Sequence, residues 1–130
     1  RGRADAAAKK LEARLRVSPG NHPLTMAYAH ALQQGRQSHL AEEGLVDQSR
    51  LKPNDPGLWY LLAEVQGLSG NIIGLHQSRA EYFILVGNLD AAQRQLSYAL
   101  QLVGNDFTRS AQINERLSQV IDMRAALDRG

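Results

Sequence analysis

The stretch GNIIGLHQSRAEYFILVGNLDAAQRQLSYALQLVGND, residues 70–106, places glycine before asparagine three times, at Gly70-Asn71, Gly87-Asn88 and Gly104-Asn105. The steps from 70 to 87 and from 87 to 104 are both 17 residues. A helix of about 14 or 15 residues rises roughly 22 Å and reverses over two or three more. Seventeen residues are therefore one helix plus one tight turn. Glycine suits the position after a helix because it enters the left-handed conformation without a Cβ penalty. The asparagine or aspartate beside it can cap the next helix. Gly35 stands 35 residues before Gly70, close to twice the unit. Repetition on this scale predicts a helical solenoid.

Proline supports the same frame. SPGNHPLTM (18–26) and KPNDPGLW (52–59) each end one helix with a proline and open the next with another. Pro23 and Pro56 suit a first helical turn, where a missing N–H costs nothing. Pro19 and Pro53 forbid continuation of the preceding helix. Helices are expected over about 3–16, 22–34, 38–51, 56–69, 72–86, 89–103 and 106–128. In the sixth, Leu89, Ala92, Leu96, Ala99, Leu100 and Val103 share one stripe. The fifth is apolar nearly all round, the pattern of a central helix packed on several sides. The last carries one stripe, Phe107, Ala111, Ile113, Leu117, Val120, Ile121 and Leu127, and reads as a long terminal cap.

Composition sets the class. A chain of 130 residues, 43% hydrophobic and 22% charged, reads as one globular domain spanning 1–130. No apolar run approaches the roughly 20 residues of a membrane span. There is no cysteine, which excludes disulfides, thiolate nucleophiles and thiolate-bound zinc. The net charge of +2 is too weak to imply a nucleic-acid partner. Six basic residues fall within the first sixteen, and they read as a solvated helix face. That first helix starts in mid-pattern without a signal-peptide h-region, so a fragment of a longer chain is expected, with targeting information removed.

Side chains with tempting chemistry mostly have plain readings. His76 lies on an apolar segment with no second ligand a turn away and reads as structural. His30 and His39 straddle a turn without a carboxylate. Glu42, Glu43 and Asp47 read as a solvated face, and Trp59, Tyr82 and Phe83 as inter-helix bulk.

These residues resemble the tetratricopeptide repeat, a 34-residue helical hairpin with bulky and small residues at set offsets. Around Gly35 the matches are Leu24, Ala27, Tyr28, Ala31 and Leu40. Around Gly70 they are Trp59, Leu62 and Ala63; around Gly87, Ala80, Phe83, Ala92, Leu96 and Ala99. The resemblance implies an all-α, right-handed superhelical solenoid of about seven antiparallel helices. Its degenerate repeats would cover about 3–20, 21–54, 55–88 and 72–105, the last two sharing a helix, with a capping helix at 106–128.

The run DPGLWYLLAEVQGLSGN (55–71) with HQSRAEYFILVGNLDAAQRQLSYALQL (76–102) is further similar to the C-terminal repeat domain of the beta-barrel assembly-enhancing proteases. That family consists of periplasmic zinc metalloproteases with an HExxH catalytic domain. The resemblance implies a periplasmic domain that recruits outer-membrane assembly partners or misfolded barrel proteins to an attached protease. Zinc would belong to the catalytic part. None of His22, His30, His39 and His76 begins an HExxH, so neither catalytic residues nor cofactor sites are expected here.

In stacked helical hairpins the first helix of each pair lines a shared concave surface. By that register the groove would present Met26 from the first repeat, Tyr60, Leu61, Glu64 and Leu68 from the second, and Gln77 and Glu81 from the third. Its mixed, weakly charged character predicts binding of an extended or helical polypeptide through apolar anchors. The alternative is a tetratricopeptide scaffold or self-association module unrelated to a protease.

Overall fold

A computed structural model describes residues 2–130. Seven helices and no strands occur among them: α1 (Gly2–Val17), α2 (His22–Gln34), α3 (Ser38–Leu51), α4 (Pro56–Ser69), α5 (Ile72–Leu85), α6 (Leu89–Leu102) and α7 (Phe107–Arg129). The expected all-α architecture with a long final helix is the one observed.

Local chemistry explains the boundaries. Asn21, Asp55, Asn71, Asn88 and Asp106 each accept a backbone N–H of the helix that follows. Each satisfies an amide that the helix itself cannot. Gly70, Gly87 and Gly104 have positive φ, at 83°, 81° and 56°, so the 17-residue period does mark left-handed reversals. In the third, the cap is Asp106 rather than Asn105. Gly35 departs from the pattern. Its φ is −80°, and Arg36 beside it takes the left-handed conformation at 63°. Close approach explains the glycine: a Cβ there would lie 2.7 Å from Asp5 Oδ1 and 3.7 Å from Ala4 Cβ, so its absence lets α1 approach the end of α2.

Each helix packs against the helices before and after it in the chain. Contacts that skip a helix join α2 to α4, through Gln33 and Glu64, and α5 to α7, through Glu81 and Arg116. The helices therefore alternate between two layers, a solenoid-like stack. Two apolar clusters fill it. One joins α1 to α4 around Ala29, Leu32, Leu45, Leu58, Leu62 and Val65. The other joins α5 to α7 around Ala80, Ala92, Leu96, Ala99, Ile113 and Val120. Between them, the α4–α5 seam buries polar groups, Gln66 and Ser78, bonded to each other at 2.6 Å.

The terminal helix differs from its expected stripe. Ile113 and Val120 are buried, but Phe107 is 80% exposed and Ile121 and Leu127 are also exposed. At 1.5 Å per residue, the 23 residues of α7 outrun the 14 of α6 by about 13 Å. Toward its end α7 is covered on one side only: Arg124 reaches Asp90 and Gln93 of α6 and Met123 and Ala125 are half-buried, while Ile121 and Leu127 face outward.

Candidate functional site

The seven residues expected to share a groove are divided by the structure. α5 explains the division, because three arcs of its surface face three ways. Ile73, Ala80 and Ile84 pack into the C-terminal core. Leu75, Arg79 and Tyr82 face one hollow beside α4, and Gly74, Gln77, Ser78 and Glu81 face another, toward α3 and α7. Tyr60, Glu64 and Leu68 line the first hollow; Gln77 and Glu81 line the second. Met26 and Leu61 lie in neither. Both are half-buried against the N-terminal core. The expected common surface is thus not formed, because Gln77 and Glu81 point to the opposite side of the seam from Tyr60, Glu64 and Leu68.

The first hollow, of about 450 Å³, runs along the α4–α5 pair. Its walls are antiparallel: Tyr60 meets Tyr82 at one end, and Leu68 and Leu75 both line the other. Tyr60 and Tyr82 meet edge to face, their ring centroids 5.5 Å apart. Small residues, Ala63 and Gly67, line it between the larger side chains. A Cβ on Gly67 would come within 2.9 Å of Leu75 Cδ1, so glycine permits the close approach of the two helices there. Tyr60 and Leu68 are large side chains that remain 56% and 64% exposed. Glu64 and Arg79 face this hollow from opposite walls. Glu64 accepts a hydrogen bond from Gln33 Nε2 at 3.1 Å. Among the described residues no salt bridge engages Arg79.

The second hollow, of about 630 Å³, is polar and internally satisfied. Glu42 accepts from Ser69 Oγ (2.7 Å) and Asn71 Nδ2 (2.6 Å), binding α3 to the α4–α5 turn. Asn71 Oδ1 accepts from Gly74 N and from Arg109 Nη2, which also donates to Gln77 Oε1. Glu81 receives two bonds from Arg116, at 2.8 and 2.9 Å, and this pairing raises the Arg116 pKa. Glu42 is therefore not a solvated face residue but a fastening for the α4–α5 turn. Its partners lie 27 and 29 residues away, beyond any local sequence signal.

Three of the four histidines, His22, His30 and His76, are engaged structurally, and His39 is exposed. With its proton on Nε2, His22 donates to Asp55 Oδ2 (2.6 Å) and accepts at Nδ1 from Gln48 (2.8 Å), joining α2, α3 and the start of α4. The His22 bond is the main cause of a lowered Asp55 pKa; partial burial opposes it and the Gly57 N–H adds to it. His76 Nδ1 meets Gln95 Oε1 at 2.7 Å, and its ring lies against Tyr98. His30 contacts Gln34. No group of three or more His, Asp or Glu side chains suited to a metal ion occurs among the described residues. Nor is any described helix long and apolar enough to cross a membrane.

Sequence reasoning missed Leu75, Arg79 and Tyr82 as walls of the first hollow. Their i, i+4, i+7 spacing was the available signal, a second stripe on a helix whose apolar residues lie nearly all round. The fold and the two hollows define an all-helical, solenoid-like protein with one apolar and one polar recess. A scan against protein-family models finds no match, and no curated protein matches the sequence.

Proposed function

We propose that this chain is a non-catalytic protein-interaction domain that seats a segment of another polypeptide in the apolar hollow between α4 and α5. The observation that carries this reading is the exposure of Tyr60 and Leu68 at the two ends of a concave, largely apolar recess. Such recesses bind apolar anchor residues, and exposed aromatics supply much of the energy at such interfaces. The test is selection from a displayed random peptide library, followed by titration of the selected peptides. The variant Tyr60→Ala/Leu68→Ala is expected to lose at least about 30-fold in affinity while unfolding at nearly the wild-type urea concentration. Failure of the wild-type chain to select any peptide, or full binding by the double variant, contradicts the proposal.

The wider proposal is a right-handed tetratricopeptide superhelix that recruits outer-membrane assembly partners or misfolded barrel proteins to an attached periplasmic zinc metalloprotease. It rests on the resemblance carried by Trp59, Leu62, Ala63, Ala80, Gly87, Ala92, Leu96 and Ala99. An HExxH motif in the same full-length polypeptide is the expected finding, and a full-length sequence without one contradicts it. In this reading the present chain performs no peptide hydrolysis and holds no cofactor.

Self-association is a second reading, favoured by the exposed Leu102, Phe107, Ile121 and Leu127 of α6 and α7. Light scattering that gives a concentration-dependent mass, lost in Phe107→Ser/Ile121→Ser, supports it. A monomer at all concentrations removes it.

A further inference from the structure

The apolar hollow has a length, a pattern of anchors and a polarity, and together these narrow its occupant. Tyr60 to Leu68 is eight helical steps along α4, about 12 Å, or roughly two turns of a helix laid alongside. Bulky side chains stand at the two ends, the Tyr60–Tyr82 pair at one and Leu68 and Leu75 at the other. Ala63 and Gly67 contribute little bulk between them, so an occupant's larger side chains are taken at the two ends. Midway, Glu64 stands on the α4 wall and Arg79 on the α5 wall, both exposed and with no salt bridge between them. A recess with one carboxylate and one guanidinium on opposite walls distinguishes ligand orientations, because the reversed arrangement brings like charges together.

We propose that the occupant is a two-turn amphipathic helix of a partner polypeptide, with apolar anchors at i and i+7. An acidic side chain on one flank meets Arg79 and a basic side chain on the other meets Glu64. This rests on the polypeptide-binding reading above and adds the conformation, charge pattern and direction of the ligand. The anchors provide the affinity, and the flanking charges fix the direction, as expected for an apolar helix-in-groove contact with a charged rim.

The experiment uses the whole 130-residue chain and a displayed library of 16-residue helical peptides. Apolar residues are fixed at i and i+7 and the flanking positions are randomised. The wild-type chain is expected to enrich Asp or Glu on one flank and Lys or Arg on the other. Arg79→Glu is expected to weaken the wild-type-selected peptides by about fivefold or more. When used as bait, it should enrich Lys or Arg on the flank where the wild type took acids. Glu64→Arg, with the mirrored change, is the second variant, so the result does not depend on one substitution. Urea midpoints of both variants verify folding. Identical peptide composition and affinity for wild type and both variants overturns the charge pattern while leaving polypeptide binding intact. Failure of the wild type to select any peptide, or selection of the same peptides by Tyr60→Ala/Leu68→Ala, overturns the binding site itself. A peptide-free control whose mass rises with concentration, and falls in Tyr60→Ala/Leu68→Ala, identifies a second copy as occupant and also overturns the proposal.

Discussion

Two hollows flank the same pair of helices, and they treat their polar groups in opposite ways. Toward α3 and α7, Glu42, Ser69, Asn71, Gln77 and Arg109 bond to one another across four elements, and Glu81 is held by Arg116. On the other side, Tyr60 and Leu68 remain exposed and, among the described residues, no salt bridge engages Arg79. A buried polar group left unbonded is costly, whereas a satisfied network fixes one arrangement of the elements it joins. The polar side therefore fastens α3 and α7 to the α4–α5 pair that joins the two apolar cores. The apolar side leaves contacts to be completed by something else. One surface stabilises the fold; the other is available for recognition.

Substitutions at the seam separate these roles, and the largest effect belongs to the core beneath it. Leu62 is fully packed, 2% exposed, and Leu62→Ala is expected to cost about 2–5 kcal/mol by urea denaturation. A loss under about 1 kcal/mol would mean that the N-terminal cluster does not support the seam. Next comes Gly74→Ala. The new Cβ would lie 2.7 Å from Gln66 Nε2 and would also displace the Asn71 cap, against a helix-propensity gain of about 1 kcal/mol. A net loss of about 1–2 kcal/mol is expected, with peptide binding unchanged.

A smaller effect is expected in acid. The Asp55 pKa is lowered in the folded state, mainly by His22, so its contribution is complete above the ordinary carboxylate value of 3.8. It is lost as pH falls through the lower folded value. Asp55→Asn keeps a capping side chain and should flatten the decline in urea midpoint below about pH 4. A decline identical to wild type would remove the His22–Asp55 bond from the account. The smallest stability effect belongs to Leu68→Ser, expected within about 0.5 kcal/mol of wild type because the side chain is mostly solvent-facing. A much larger loss would place Leu68 in the core rather than the recognition surface.

These contrasts also show what a sequence can convey. The glycine–asparagine period and the paired prolines are local signals, and all seven helices begin and end within a residue of the expected positions. Gly35 looked like another reversal, yet its role is to let α1 approach; that is a tertiary requirement with the same local appearance. Repeat register puts Gln77 and Glu81 in the groove of Tyr60, whereas α5 turns them toward α3 and α7. Helical spacing identifies which residues share a face of one helix. It does not say which neighbour that face meets. Glu42 was missed for the same reason, since its bonds close loops of 27 and 29 residues. Helix–turn punctuation is written in neighbouring residues, whereas the alternation of layers that creates two distinct recesses is not.

Hydrogen–deuterium exchange of the chain, with and without its tightest selected peptide, tests most directly which recess recognises a partner. Added protection is expected along 60–68 and 75–83, with 42–49 and 106–112 exchanging as in the free chain. Protection confined to 42–49 and 106–112 would place recognition on the polar side and contradict the assignment of the apolar recess.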